Sequence, residues 1–229
     1  MPVLSIDTSA EIAVCLLADD GTLLARRHVA EQRRHAELLA PMIIEVLAAA
    51  GVDRRAVTAV AVGTGPAPFT GLRAGLVTAR TLAFALGVPV HGVCSLDALA
   101  SQAFDAGLAG QGEVLVVTDA RRREVYAARY RSAAATAVGS IEVELVSGPL
   151  VDHPDVVAAG PASVVVGAGA LLYGDVLPAA HGAPTVLDVA VLGRLAMARS
   201  ARGLEQPTGP LYLRRPDVVP SVSRKRATG

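Results

Sequence analysis

The chain reads as a two-lobed mixed α/β protein of duplicated β-β-β-α-β-α type. Three observations predict this. Three short strand patterns precede the first helical pattern. Helix and strand then alternate as far as residue 104. A weaker echo of the opening begins at Val114, and each half places an aspartate, Asp7 or Asp119, just after a buried strand.

Val3 to Thr8 is a short apolar run that predicts a strand. Glu11 to Ala18 alternates, with Ile12, Val14 and Leu16 on one face. Asp19-Asp20-Gly21 tolerates the positive φ of a hairpin turn, so Thr22 to Val29 returns antiparallel. Asp7-Thr8-Ser9 turns the chain between the first two strands. His35 to Ala50 predicts a helix with a broad apolar stripe, closed by Gly51. Val57 to Val62 predicts a buried strand. Thr70 to Leu86 predicts a second helix ended by Gly87. Pro89 to Val93 and Ser95 to Phe104 predict a further strand and a short helix.

Asp105 to Gly112 is rich in glycine and alanine and marks the expected boundary between lobes 1–104 and 105–186. Strands are predicted at Val114 to Thr118, Glu124 to Tyr130 and Ser140 to Val146. Val164 to Gly167 is a further apolar run, followed by Gly167-Ala168-Gly169-Ala170. Leu187 to Arg202 predicts a helix. With a strand after it, it makes segment 187–213, expected to pack back on the first lobe. Residues 214–229 hold Pro216, Pro220 and five basic side chains, and read as a flexible basic tail.

Composition narrows the classes. Hydrophobic residues make up 52% of the 229, enough for a sizeable core. Lys+Arg and Asp+Glu both number 21, so no overall basic field marks a nucleic-acid binder. Cys15 and Cys94 sit in apolar strand-like contexts and read as small core residues. No uninterrupted apolar run approaches the ~18 residues of a membrane helix. The N-terminus lacks a basic region and a cleavage site, so a cytoplasmic protein is expected.

The stretch from Gly63 to Gly75 is a Gly- and Pro-rich turn between a strand and a helix. That geometry suits anions and equally suits tight packing. It belongs to a set of segments that occur in a family order. These are Ile6-Asp7-Thr8-Ser9, His35-Ala36-Glu37-Leu38-Leu39-Ala40-Pro41-Met42, Gly65-Pro66-Ala67-Pro68-Phe69-Thr70-Gly71-Leu72-Arg73, Gly92-Val93-Cys94-Ser95-Leu96, Asp119-Ala120-Arg121-Arg122-Arg123-Glu124-Val125-Tyr126 and Pro210-Leu211-Tyr212-Leu213-Arg214. In them the chain resembles the TsaB (YeaZ) family of the actin-like ATPase and sugar-kinase superfamily, whose ribonuclease H-like lobes face each other across a nucleotide cleft.

The resemblance implies a role in making threonylcarbamoyladenosine at position 37 of ANN-decoding tRNAs. The family member is implied to be a non-catalytic scaffold. It heterodimerises with the similarly folded catalytic subunit TsaD and is joined by the ATPase TsaE, with tRNA met through the complex. The family usually has glycine and serine where this chain has Ala67 and Pro68, which stiffens the turn and removes a hydroxyl. The catalytic partner holds a metal with a His-x-x-x-His motif after a strand. The comparable positions here are Ser95 and Leu99, neither a credible ligand for iron or zinc. His28, His35, His91, His153 and His181 include no pair at i, i+4. No metal, cofactor or catalytic residue is therefore assigned.

Asp7, Thr8 and Ser9, with Asp119 and Arg121, make a candidate vestigial nucleotide or anion site. The alternatives are that Asp7 caps its turn and that Asp119, Arg121 and Arg122 are a charged hairpin rim. Gly71, Gly75, Ala79 and Ala83 form a smooth ridge on the second helix, near Leu72 and Leu76. With Leu38, Leu39, Met42, Ile43 and Val46 of the first helix, they are expected to form the partner interface. Arginine at Leu76 or Met42 is expected to abolish partner binding without unfolding the monomer. A homodimer is expected when the chain is alone. The competing reading is an autonomous enzyme of the same fold, a phosphotransferase or peptidase, with Gly167-Ala168-Gly169-Ala170 as a phosphate loop. The basic tail reads either as a tRNA contact or as a solvated terminus.

Overall fold

A computed structural model describes residues 2–30, 34–110, 112–160 and 163–214. β1 (Val3–Asp7), β2 (Ile12–Leu17) and β3 (Leu23–Val29) form an antiparallel meander. β4 (Ala59–Gly63) pairs parallel to β1, and β5 (Val90–Val93) parallel to β4, giving the order β3-β2-β1-β4-β5. Parallel neighbours need a crossover. α1 (His35–Ala49) supplies it before β4, and α2 (Phe69–Leu86) before β5.

The strand period of two decides what each helix covers. Leu4, Ile6, Val14, Leu16, Val60 and Val62 face α1 and α2. The alternate residues Val3, Ala13, Cys15, Leu17 and Ala61 face the other way. There they meet α3 (Ser95–Asp105) and α6 (Val189–Ala201). Both faces of the central strands are thus covered, which is why β1 and β2 are buried along their whole length, while the edge strand β3 carries the exposed Arg26, Arg27 and His28.

The second sheet holds β6 (Glu113–Asp119), β7 (Val125–Ala135), β8 (Ile141–Asp152) and β9 (Val164–Val166), in the order β8-β7-β6-β9 with β9 parallel to β6. α4 (Pro154–Ala158) precedes β9 and α5 (Ala168–Leu172) follows it. This is a shortened copy of the first unit, and the expected fold class is the one observed. α3 serves both sheets: Ala98 faces the first, while Leu96, Leu99 and Phe104 pack with Val114, Val116 and Tyr130 of the second.

Four sequence expectations are corrected. The β7–β8 hairpin runs past the expected ends at Tyr130 and Val146, because pairing with each other extends exposed segments that alternate poorly. α4 and α5 are absent from the sequence reading, since five residues are too few to show a helical period. No strand forms after α6 among the described residues. Residues 204–213 run as an irregular strap, because Pro207 and Pro210 lack the N–H a ladder needs. The strap ties to the first lobe by isolated backbone bonds, Gly92 N–H to the Gln206 carbonyl and Leu211 N–H to the Thr64 carbonyl.

The fourth correction concerns α1 and α2. Leu39, Met42, Ile43, Val46, Gly71, Leu72, Gly75, Leu76, Ala79 and Ala83 are buried inside the monomer, with Leu38 half-buried against the same core. They pack on their own sheet, so these side chains are not a free partner surface. Met42 is 4% exposed and Leu76 3%, so arginine at either would disrupt the monomer itself. Cys15 and Cys94 are free thiols. Burial pushes both well above the ordinary thiol range. No helix among the described residues is long and apolar enough to cross a membrane. Arg214 is described; the rest of the basic tail, 215–229, lies outside the described residues.

Candidate functional site

A cavity of about 310 Å³ opens between the lobes. The first lobe contributes Thr8 and Ser9 from the β1–β2 turn, His35 from the start of α1, Pro66 and Pro68 from the loop after β4, and Ser95 and Leu99 from α3. The second contributes Thr118, Asp119 and Arg121 at the end of β6, and Ala168 at the start of α5. Four of the five residues expected at a vestigial nucleotide or anion site therefore line one cavity: Thr8, Ser9, Asp119 and Arg121.

Asp7 lies beneath the cavity wall. Its Oδ1 accepts from the Ser9 N–H at 2.9 Å and the Ser9 hydroxyl at 2.6 Å, and its Oδ2 accepts from the Ser95 hydroxyl at 2.7 Å. Burial raises its carboxyl above the ordinary range, against the lowering by those hydrogen bonds and by nearby His35. The fit is close: a Cβ at Gly63 would stand 1.8 Å from Oδ2. This is the turn-capping geometry that an Asx residue makes two positions ahead of its donor.

Asp119 is differently placed. Its Oδ1 accepts from the Arg121 N–H at 2.8 Å, and its Oδ2 pairs with Arg121 Nη1 at 3.0 Å. Arg121, Arg122 and Arg123 all adopt left-handed backbone, with φ of 64°, 55° and 63°. This winds the β6–β7 turn tightly and carries Arg121 to the cleft.

The glycines of the second-lobe loop do packing work. A Cβ at Gly167 would lie 2.2 Å from the Val117 carbonyl oxygen, and one at Gly169 3.0 Å from Val117 backbone. They let the single turn of α5 lie directly on β6. In the first-lobe loop, Ala67 is buried in the core and Pro68 precedes α2 without a side-chain cap.

The comparisons with known proteins agree with this architecture. A family model described as TsaD, tRNA N6-adenosine threonylcarbamoyltransferase, matches residues 28–161. The chain is 33% identical over 169 residues to the tRNA threonylcarbamoyladenosine biosynthesis protein TsaB of Escherichia coli K12, covering 74% of this chain and 72% of the relative. The chain belongs to the TsaB family. An uncharacterised protein of Mycobacterium tuberculosis H37Rv is 40% identical over 223 residues, 95% of this chain and 94% of its own. The solved structure of YeaZ from Pseudomonas aeruginosa superposes with a TM-score of 0.75 at 31% identity, over 93% of this chain and 99% of that one.

The metal that the TsaD resemblance brings with it does not fit the residues in place. Ser95 and Leu99 both line the cleft. The Ser95 hydroxyl is already donated to Asp7, and leucine has no donor atom. Among the described residues no cluster of three His, Cys, Asp or Glu could hold an ion.

Two features escaped the sequence reading. His35 faces the cleft rather than serving only as a helix start. Phe69, Tyr126 and Tyr212 line a second cavity together with Arg122 and Arg214. The runs Arg121-Arg122-Arg123 and Tyr212-Leu213-Arg214 were visible, but nothing local brings segments some ninety residues apart together.

Proposed function

We propose that this TsaB-family chain is a scaffold subunit of the complex that transfers threonylcarbamoyl to adenosine 37 of ANN-decoding tRNAs. In this reading it does not catalyse the transfer. It pairs with a TsaD-like catalytic subunit, and a TsaE-like ATPase joins the assembly in the cytoplasm. The observation that carries the scaffold role is the state of the cleft carboxylates. Asp7 is buried and held by Ser9 and Ser95, and Asp119 is paired with Arg121. Neither is poised to orient a metal-bound nucleotide or a water.

Docking uses the outer side of the helix pair. Ile44 on α1 and Val77 and Phe84 on α2 are large, apolar and exposed, and Phe84 is 90% exposed. Their opposite faces are committed to the sheet. A similarly folded subunit that presents its own helix pair would complete a four-helix contact, and a second copy of this chain would take that place when the partner is missing.

The test is nucleoside mass spectrometry of bulk tRNA after depletion of this protein. Loss of threonylcarbamoyladenosine, restored by re-expression, is the expected result. Transfer in vitro is expected only when the catalytic subunit is mixed in. An unchanged modification level, or ATP turnover by the purified chain alone, would move the reading to an independent enzyme.

A further inference from the structure

A second cavity, of about 410 Å³, lies beside the cleft. Pro68 and Arg121 line both, so it begins where the two lobes meet. Three segments build it: 67–73 at the start of α2, 119–126 around the β6–β7 turn, and 212–214 at the end of the strap. Together these hold five arginines and two carboxylates, whereas the chain as a whole has 21 basic and 21 acidic residues. The excess of positive charge is therefore local.

The cations are held in place. Arg73 Nε donates to the Tyr212 hydroxyl at 2.7 Å. Its guanidinium stands 5.3 Å from the Phe69 ring centroid and 5.4 Å from that of Tyr212. Those two rings lie 4.7 Å apart at a tilt of 49°. Arg214 pairs with Glu124 and reaches the Arg121 carbonyl. The left-handed turn at 121–123 places Arg121 and Arg122 on the opposite wall. Preset guanidinium forks match the oxygens of a phosphodiester, and aromatic faces stack bases of any identity.

We propose that this cavity is a cradle for single-stranded RNA, taking a backbone phosphate on its arginines and a base on Tyr212. Tyr212 is 40% exposed, which leaves ring surface for a base. An acidic protein segment would use the arginines but has no need of the aromatic wall. The inference rests on the reading of the chain as a subunit in tRNA modification, and it gives that subunit its own contact with the substrate.

The experiment is fluorescence anisotropy of the full chain with a labelled anticodon stem–loop RNA, over a salt series. Arg122→Gly removes the charge while fitting the left-handed backbone, so the fold is kept. It should weaken binding and make the log–log salt slope shallower by about 0.7, one single-strand phosphate contact. Tyr212→Ala should weaken binding about five- to a hundredfold, the range of one base stack. Thermal unfolding of both variants is followed alongside. Wild-type chain that binds no RNA at low salt, or variants that bind as wild type does, would overturn the cradle. So would a polyglutamate peptide that binds with the same sensitivity to both substitutions while RNA fails to displace it. The functional reading fails separately: depletion then leaves threonylcarbamoyladenosine unchanged. Loss on depletion, with full rescue by the doubly substituted chain, would remove the cradle alone.

Discussion

Gly75 carries a hydrogen where any other residue would carry a Cβ 2.3 Å from the Thr8 hydroxyl oxygen. That hydroxyl donates to the Gly71 carbonyl at 2.9 Å. The small-residue ridge of α2 thus lets the β1–β2 turn approach the helix. Alanine is the better helix former by about 1 kcal/mol, yet Gly75→Ala should lower stability by about 1–3 kcal/mol through overpacking. Adding Thr8→Ala should recover part of the loss. Urea midpoints of the two single variants and the double measure this, and a raised midpoint for Gly75→Ala would refute the packing account. Asp7 offers a second test. Its carboxyl is raised above 3.8 chiefly by burial, so the folded state binds the proton more tightly than the unfolded chain. Its contribution to stability is then greatest at acid pH and is lost as pH rises through the folded-state value. Relative to Asp7→Asn, wild type should gain unfolding free energy as pH falls from about 7 toward the carboxylate range. Urea melts at several pH values read the difference, and a constant gap would contradict it.

The helices α1 and α2 show how a correct element can be assigned the wrong face. Their apolar residues lie on both sides. Leu39, Met42, Leu72 and Leu76 point to the sheet, whereas Ile44, Val77 and Phe84 point outward. A stripe that wide is legible as an amphipathic helix with surplus apolar surface, but its periodicity does not say which part of it meets the sheet. Phe84→Arg should leave the thermal midpoint of the monomer nearly unchanged, within about 0.5 kcal/mol. It should weaken pull-down of the catalytic subunit and self-association by about 2 kcal/mol, roughly thirtyfold, if Phe84 anchors the contact. Thermal melts check the first statement and sedimentation the second, and undiminished association would place the interface elsewhere.

Specific polar ties reinforce the apolar packing of α3 between the lobes. Arg199 on α6 donates to Asp97 on α3 at 2.9 Å and to Glu142 on β8 at 2.7 Å, and the Tyr130 hydroxyl donates to Asp97 at 2.9 Å. The Arg199 side chain is only 15% exposed. Removing it leaves two largely buried carboxylates without their shared cation, so Arg199→Ala should cost about 3–5 kcal/mol. Arg27 and Glu45 are both more than half exposed, and Glu45→Ala should change stability by about 0–1 kcal/mol. Comparable effects for the two pairs would argue against a structural role for Arg199. The strap adds its own ties, from Gln206 against β5 to Arg214 on Glu124 across the lobes.

Strand alternation, the Asp20-Gly21 turn, the glycines after α1 and α2, and the order of elements were all readable along the chain. Each reflects backbone geometry that repeats every two or 3.6 residues, so a short window holds the whole signal. The doubled unit, and with it the fold class, followed from that local order. What folding alone decided is which distant segments meet. Asp7 with Ser95 and Arg73 with Tyr212 are pairings of distant segments, and Asp119 lines one cavity with Thr8 and Ser9 across the lobes. Such contacts arise from how apolar faces bury against one another, a property of the whole assembled core. The chain pattern therefore shows the parts of the cleft and of the arginine-lined cavity, and the packed molecule assembles them into sites.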